Sequence, residues 1–422
     1  MKEHETMTRL TVHARIKTRT KLFCSCSASS EAAPPNSRCC PVCLGLPGSL
    51  PVLNGRALEL AVVTALTLNC SPAGHLCFDR KHYANPLLPR GYLICQHFSP
   101  LGSNGYLKMK SFRGKGMARI ARVELEEAPA ETVHERMPGS GCAGGIDFNR
   151  AGVAMIKIVS DPDLFTPGEA QLYLEEIRLL LTYIGVSGSI GEKGSLFYDI
   201  DIFSKPDIGG RQGEVLKIKN ITSIDHVGKA LAYELQHRAC DRGGTEGEGI
   251  VETYSWDEAA GKTRLLERAA AHPNYFSIPD PDLPPIHLEK EWIKKMKKMI
   301  PELPETCRER FHVKYLLDED EIEILIADPR LRIYFEGEVR QGKDPRKLSR
   351  RICRNVLRAI LHEDRKKASR QGFSGLTETP MGLNRERINR TVVRKILAEA
   401  ENGGTNTANP VDPPQQESTE KK

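Results

Sequence analysis

At 422 residues the chain exceeds one ordinary domain, and two or three are expected. Hydrophobic residues at 39% and charged residues at 27% describe a soluble globular protein, and no apolar run is long enough to span a membrane. A net charge of +6 permits a nucleic-acid partner without requiring one, so local clustering has to decide. Twelve cysteines without a secretory signal point to a reducing compartment, where thiols stay available for metal. Glu3 and Glu5 make the first residues unlike a typical transit peptide.

Leu10, Val12, Ala14 and Ile16 alternate with Thr11, His13 and Arg15, which predicts a strand with His13 turned away from its apolar face. A lone histidine in that position reads as a surface or hydrogen-bonded residue. Next come Cys24-x-Cys26 and Cys40-x-x-Cys43, two close thiol pairs separated by a polar loop, as a tetrahedral Zn²⁺ site requires. Unligated core cysteines are the alternative, and Cys39 offers a second way to close the site that spacing does not exclude. The run GLPGSLPVLN over 45–54 reads as a shaped loop, with two glycines for close backbone approach and two prolines fixing φ. Asn54 is placed to cap a core helix through Ala57, Leu58, Ala61, Val62, Ala65 and Leu66.

The segment Phe78-Asp79-Arg80-Lys81-His82-Tyr83 sets basic groups beside aromatics, suiting phosphate and base contacts, with a solvated charged turn as the plain alternative. Pro86, Pro89 and Gly91 then hold a loop. Residues 152–160 read as a buried strand. Thr166-Pro167-Gly168-Glu169 is a capping box opening a helix through Leu172, Ile177, Leu180 and Ile184 that stops before Gly185. Two alternating segments follow, one placing Asp199 and Asp201 on a face and the other Lys217 and Lys219, with Gly209, Gly210 and Gly213 able to join them as antiparallel neighbours. These four residues read either as cross-strand ion pairs or as a Mg²⁺ and phosphate clamp. A second capped helix is expected from Thr222 to just before Gly243-Gly244, and the prolines from Pro279 to Pro285 suggest a domain boundary. Over residues 344–364, Leu348, Ile352, Val356 and Ile360 line one helix side, and Arg346, Arg350, Arg354 and Arg358 form a basic stripe, either solvated or meeting phosphate.

The runs F-C-x-C and C-P-V-C-L-G-L-P-G-S-L-P-V-L-N closely resemble the B subunits of the tRNA-dependent glutamyl/aspartyl amidotransferases, which amidate misacylated tRNA to Gln-tRNA and Asn-tRNA. In the same order come Phe78 to Tyr83, Asn149-Arg150-Ala151-Gly152-Val153, Glu192-Lys193-Gly194-Ser195-Leu196, Lys219-Asn220 and Pro279-Asp280-Pro281-Asp282-Leu283-Pro284-Pro285, and the likeness spans about residues 10–335. It implies an α+β fold: a cradle domain on a mixed or antiparallel sheet over 1–287 with a zinc knot at 24–43, a smaller helical domain over 288–400, and a disordered tail over 401–422. The small C-terminal domain common in the family is not expected here.

The resemblance further implies ATP, Mg²⁺ and Zn²⁺, with ATP phosphorylating the tRNA-bound side-chain carboxylate. Ammonia comes from a partner amidase (glutaminase) subunit, alongside a small third subunit, in the cytoplasm or alternatively a mitochondrial or plastid matrix. It gives catalytic roles to Asp199, Lys219 and Asn220, nucleotide or phosphate contacts to Arg80, Lys81 and Tyr83, zinc ligation to Cys24, Cys26, Cys40 and Cys43, weak Mg²⁺ ligation to His13 and Glu126, and tRNA contact to Arg346, Arg350, Arg354 and Arg358. It also exposes departures. Thr11 stands at an acidic position, Lys157 at a metal-site glutamate, Ala128 in an altered acidic element, Phe197 and Lys217 at Arg and Glu positions, and Phe276 at a basic one. Glu124 and Asp201 are candidates for compensation. A rival expectation follows: a divergent copy that keeps the fold, the zinc knot and a tRNA-facing surface but has lost phosphoryl transfer.

Overall fold

The computed structural model describes residues 7–29, 33–109, 116–135, 143–163, 165–186, 195–203, 215–240, 250–270, 275–370, 388 and 390–402. Glu192, Lys193 and Gly194, the three turn glycines at 209, 210 and 213, Gly243-Gly244, Asn274 and the tail beyond Asn402 lie outside them. The chain divides into two compact units, Met1–Pro304 and Glu305–Lys422. No described helix is long and apolar enough to cross a membrane.

The first unit is built on a nine-stranded sheet. From edge to edge its strands are Lys262–Ala270, Ile250–Asp257, Val215–Ile221, Leu196–Phe203, Met7–Arg15, Ala154–Ser160, Met117–Glu127, Gly102–Lys108 and Ser71–Pro72. All neighbours are antiparallel except Val215–Ile221 with Ile250–Asp257, which pair in parallel. Alternation explains the sheet's two unlike faces. Leu10, Val12 and Ala14 are buried on one side with Ile156, Ile158, Ile200, Ile202, Leu216 and Ile218, and each large aliphatic so buried contributes about 1.5–3 kcal/mol. Helices Gly55–Thr67, Pro167–Tyr183 and Ile224–Cys240 share that core. Helix Lys290–Lys298 joins the same unit by burying Met296 in it.

The expected caps are present. Asn54 Oδ1 accepts from the Ala57 N–H at 3.1 Å, and Thr166 and Glu169 exchange both bonds of the capping box. The next helix starts at Ile224, its first turn closed by the Val227 N–H on the Ser223 carbonyl, one residue later than Thr222 suggests.

In the second unit, helix Pro345–Arg370 buries Leu348, Ile352, Val356 and Ile360 and contacts Glu319–Ile326, Pro329–Arg340 and Arg390–Asn402. Its first turn is capped by Asp344, whose carboxylate accepts from the Lys347 N–H at 2.8 Å. Phe311, Tyr315 and Phe335 pack edge-on and tilted in the same unit.

Candidate functional site

Directly paired residues of antiparallel strands share a face, so the register defines what stands on the sheet's second, polar side. His13 lies opposite Lys157 on one neighbour and Phe197 on the other; Lys157 lies opposite Glu124; Thr11 opposite Asp199; Arg9 opposite Asp201, which in turn faces Lys217. His13 is the centre. Its Nδ1 is 2.7 Å from Glu126 Oε1 and its Nε2 is 3.4 Å from Asp199 Oδ2, so the imidazole stands between the two carboxylates. Asp199 also accepts the Asn220 backbone N–H at 2.9 Å, and Asn220 takes a left-handed φ of 60° to supply it. Asp199, Lys219 and Asn220 therefore meet at one end of the polar face, joined by the bulge between Tyr198 and Ile200.

The remaining carboxylates have partners of their own. Lys157 Nζ is 3.3 Å from Glu124 Oε2, and Arg122 bonds the other Glu124 oxygen. Asp201 lies 3.9 Å from Arg9. Burial would push the His13 imidazolium down, but the Glu126 charge and the bonds to Asp199 and Glu126 outweigh it and raise the group to about 9, so it holds its proton at neutral pH. Burial would likewise raise Glu126 and Asp199, yet His13 brings both below the ordinary carboxylate range. Lys157 is raised because Glu126 and Glu124 outweigh its burial. Lys81 moves the other way: burial lowers it, and the charges of Lys157 and Lys219 lower it further.

This donor set does not fit Mg²⁺. A hard, octahedral cation needs converging oxygens. Here Glu126 and Asp199 are held on opposite nitrogens of a protonated imidazole, Glu124 is neutralised by Lys157 and Arg122, and Thr11 offers no charge. The expected His13 and Glu126 pair is thus a mutual hydrogen bond in this structure. Two of the departures seen in the sequence also pack together: Ala128 joins Val153 and Met155 in a small apolar cluster against Phe197, which Arg150 covers at 4.8 Å.

The Phe78 to Tyr83 segment forms strand Asp79–His82 between Phe276–Pro279 and Tyr92–Cys95. Arg80 grips Asp280 with both arms of its guanidinium, at 3.1 and 3.2 Å, and also pairs with Asp282. Its fork is therefore committed to the Pro-Asp-Pro-Asp turn, leaving Lys81 and Tyr83 as the segment's candidates for a ligand. Lys81 Nζ sits 4.0 Å over the Tyr275 ring and 5.8 Å from Tyr83. His82 and the exposed Phe276 stack at 4.6 Å, and with Tyr83, Ala84, Asn85, Gly91 and Tyr275 they line an open cavity of about 630 Å³.

On the other side of strand Met117–Glu127 lies the cysteine site. Cys24, Cys26, Cys40 and Cys43 bring their sulfurs within 4.8 Å of one another. Cys39 stands apart, its sulfur 4.0 Å from Asn149 Oδ1. Hydrogen bonding from Cys24 lowers the Cys43 thiol against its burial, helped by the Cys40 N–H at 3.2 Å and by Lys21. Four soft donors around one point fit a tetrahedral Zn²⁺ with no open position. Lys21, fully buried, reaches Cys43 Sγ at 3.7 Å and the Phe148 carbonyl at 3.3 Å. Asn149 receives the Arg38 N–H at 2.7 Å and donates to the Pro34 carbonyl at 2.7 Å, so the Asn149 to Val153 motif clamps the cysteine loop. Sequence reasoning gave Lys21 and Asn149 no such role; a charged residue just before a Cys pair was the available signal for Lys21.

In the second unit Arg346, Arg350, Arg354 and Arg358 are all exposed along one helix, and Arg350 is the member nearest an acid, 3.6 Å from Glu321.

The first unit of this α+β chain thus sets a polar sheet face of paired acids and bases beside a clamped cluster of four cysteines. Residues 7–294 match the family model described as the GatB/GatE catalytic domain, and the chain belongs to that family. Its relatives include proteins named as the B subunit of aspartyl/glutamyl-tRNA(Asn/Gln) amidotransferase. The one from Thermodesulfovibrio yellowstonii is 38% identical over 94% of this chain and 82% of its own. That of Persephonella marina is 39% identical over 86% of this chain and 75% of its own, and that of Thermomicrobium roseum 43% identical over 79% and 69%.

Proposed function

We propose that the chain is the B-type subunit of a glutamine-dependent amidotransferase converting Glu-tRNA(Gln), Asp-tRNA(Asn) or both to the amidated forms, in a cytoplasmic complex with an amidase subunit and a small third subunit. The polar face carries this reading, because it gathers Asp199, Asn220, Lys219 and Lys81 above a sheet whose other side is solid core. A free carboxylate is a poor electrophile. In the proposed reaction its oxygen attacks the terminal phosphorus of ATP, ADP departs, and ammonia then displaces phosphate from the acyl phosphate to leave the amide. Lys81 and Lys219 would meet the charge on the phosphoryl group, and Asp199 would fix the Asn220 turn. Bound Zn²⁺ would hold the loop of Cys24, Cys26, Cys40 and Cys43 in shape without taking part. The exposed arginine stripe would meet tRNA phosphates.

The test is reconstitution with the amidase and third subunits, following ATP consumption and amide formation on misacylated tRNA. Amide formation at ordinary rates supports the reading. Complex assembly and tRNA binding without ATP consumption would select the rival, a copy retaining fold and partners only.

A further inference from the structure

We propose that the polar face takes phosphoryl groups through its own lysines and without a divalent cation. The inference rests on the reading of this face as the phosphate-handling site, and follows from how its charges are distributed. All four carboxylates are spent: Glu126 and Asp199 on His13, Glu124 on Lys157 and Arg122, Asp201 beside Arg9. The cations are not. Among the described residues Lys81, Lys217 and Lys219 have no carboxylate in ion-pair contact. Lys81 is half-buried against Tyr275, and it is close enough to Lys157 and Lys219 to be repelled by both.

Such a face has the wrong sign for Mg²⁺ and the right one for phosphate. A divalent ion arriving alone would meet Lys157 at the middle of the site with no unpaired carboxylate to hold it. A phosphate oxygen arriving there would relieve the repulsion between Lys81, Lys157 and Lys219 and gain charge-assisted hydrogen bonds from ammonium groups already in position. Lys157 thus supplies, from within the chain, positive charge that would otherwise have to be recruited from solution. The shared ligand chemistry is a phosphoryl group, delivered either by a free nucleotide or by the 3′ end of an RNA.

The experiment titrates the purified full-length chain with ATP, with inorganic triphosphate and with an RNA hairpin bearing a single-stranded 3′ tail, each in EDTA and in excess Mg²⁺ at matched ionic strength. At least one ligand is expected to bind in EDTA, with Mg²⁺ changing its affinity less than about threefold, because the metal would mask phosphate charge that the lysines otherwise meet. Lys219→Met and Lys81→Met should each weaken binding in EDTA about tenfold, while Lys219→Arg retains it. Lys219 is exposed, so its loss leaves the fold intact. ATP and triphosphate binding identify the nucleotide as the source, and hairpin binding alone identifies the RNA. Tightening by Mg²⁺ of about tenfold or more, no binding of any ligand in EDTA, or indifference to both methionine substitutions would overturn the inference. Metal-dependent ATP binding with normal amide formation would overturn it while leaving the proposed function standing.

Discussion

Reversing the charge at Lys157 tests the electrostatic account of the polar face most directly. Lys157→Glu removes the 3.3 Å contact to Glu124 and puts a third carboxylate beside Glu124 and Glu126, on a face where Glu124 is almost fully buried. Opposite unit charges about 4 Å apart attract by about 4 kcal/mol at an effective dielectric near 20, and the substitution turns part of that attraction into repulsion. Arg122 remains on Glu124 and absorbs some of the change, so a net loss of about 3–5 kcal/mol is expected, the range found when one partner of a buried pair is removed. Urea denaturation at pH 8, where the new carboxylate stays ionised, reads the loss as a shift in midpoint without a change in slope. Mg²⁺ should have opposite consequences in the two proteins. At a hundredfold excess over its dissociation constant it would return about 2.7 kcal/mol to the variant, whose three carboxylates can now share it, and leave the unsubstituted chain unchanged. A variant as stable as the parent, or a parent stabilised by Mg²⁺, would refute the reasoning.

Elemental analysis should find one zinc per chain, and chelation should disorder the loop of Cys24 to Cys43, since such a site contributes on the order of 10 kcal/mol to its own ordering; a metal-free protein with an unchanged melting curve would contradict this. Charge reversal at Arg346, Arg350, Arg354 and Arg358 should weaken binding of every tRNA alike and flatten the salt dependence, because phosphate contacts carry no sequence, and unchanged affinity and salt slope would leave the stripe merely solvated. His13 titrates near 9 in the folded chain against about 6.5 unfolded, so its contribution to stability is fully present below about pH 6.5 and is lost as pH rises through 9. The stability difference between parent and His13→Gln should therefore shrink from pH 6 to pH 10, and a constant difference would show that His13 is neutral in the fold.

Local signals carried a good part of this structure. The alternation from Leu10 to Ile16 gives a strand whose apolar residues are indeed buried, the Thr166 to Glu169 box opens its helix, and the α+β character is visible in the succession of periods. Strand order was not legible, since Met7–Arg15 lies centrally between strands about 150 and 190 residues away, and pairing over such separations leaves no local mark. The same limit governs the site. Lys157 could be read as a departure, but its Glu124 partner comes from a neighbouring strand, and Arg80 looked available for phosphate because Asp280 lies 200 residues onward. Spacing alone left Cys39 and Cys40 equivalent; the structure separates them by holding Cys39 beside Asn149.

Gly45 ends the short helix Pro41–Leu44 at a φ of 71°, and a methyl group there would fall 2.1 Å from the Arg90 side chain. The bare backbone lets Arg90 lie across the cysteine loop and reach Glu127, which also accepts the Ile94 N–H at 2.8 Å. Glu127 is the immediate neighbour of Glu126 and points through the sheet the other way. One residue of strand thus connects a thiol-bound loop on one side to the imidazole clamp on the other. The loop behaves as a keystone: oxidation of its cysteines that slackens it would free Arg90, strand a buried carboxylate, and be felt at His13 through a single peptide unit.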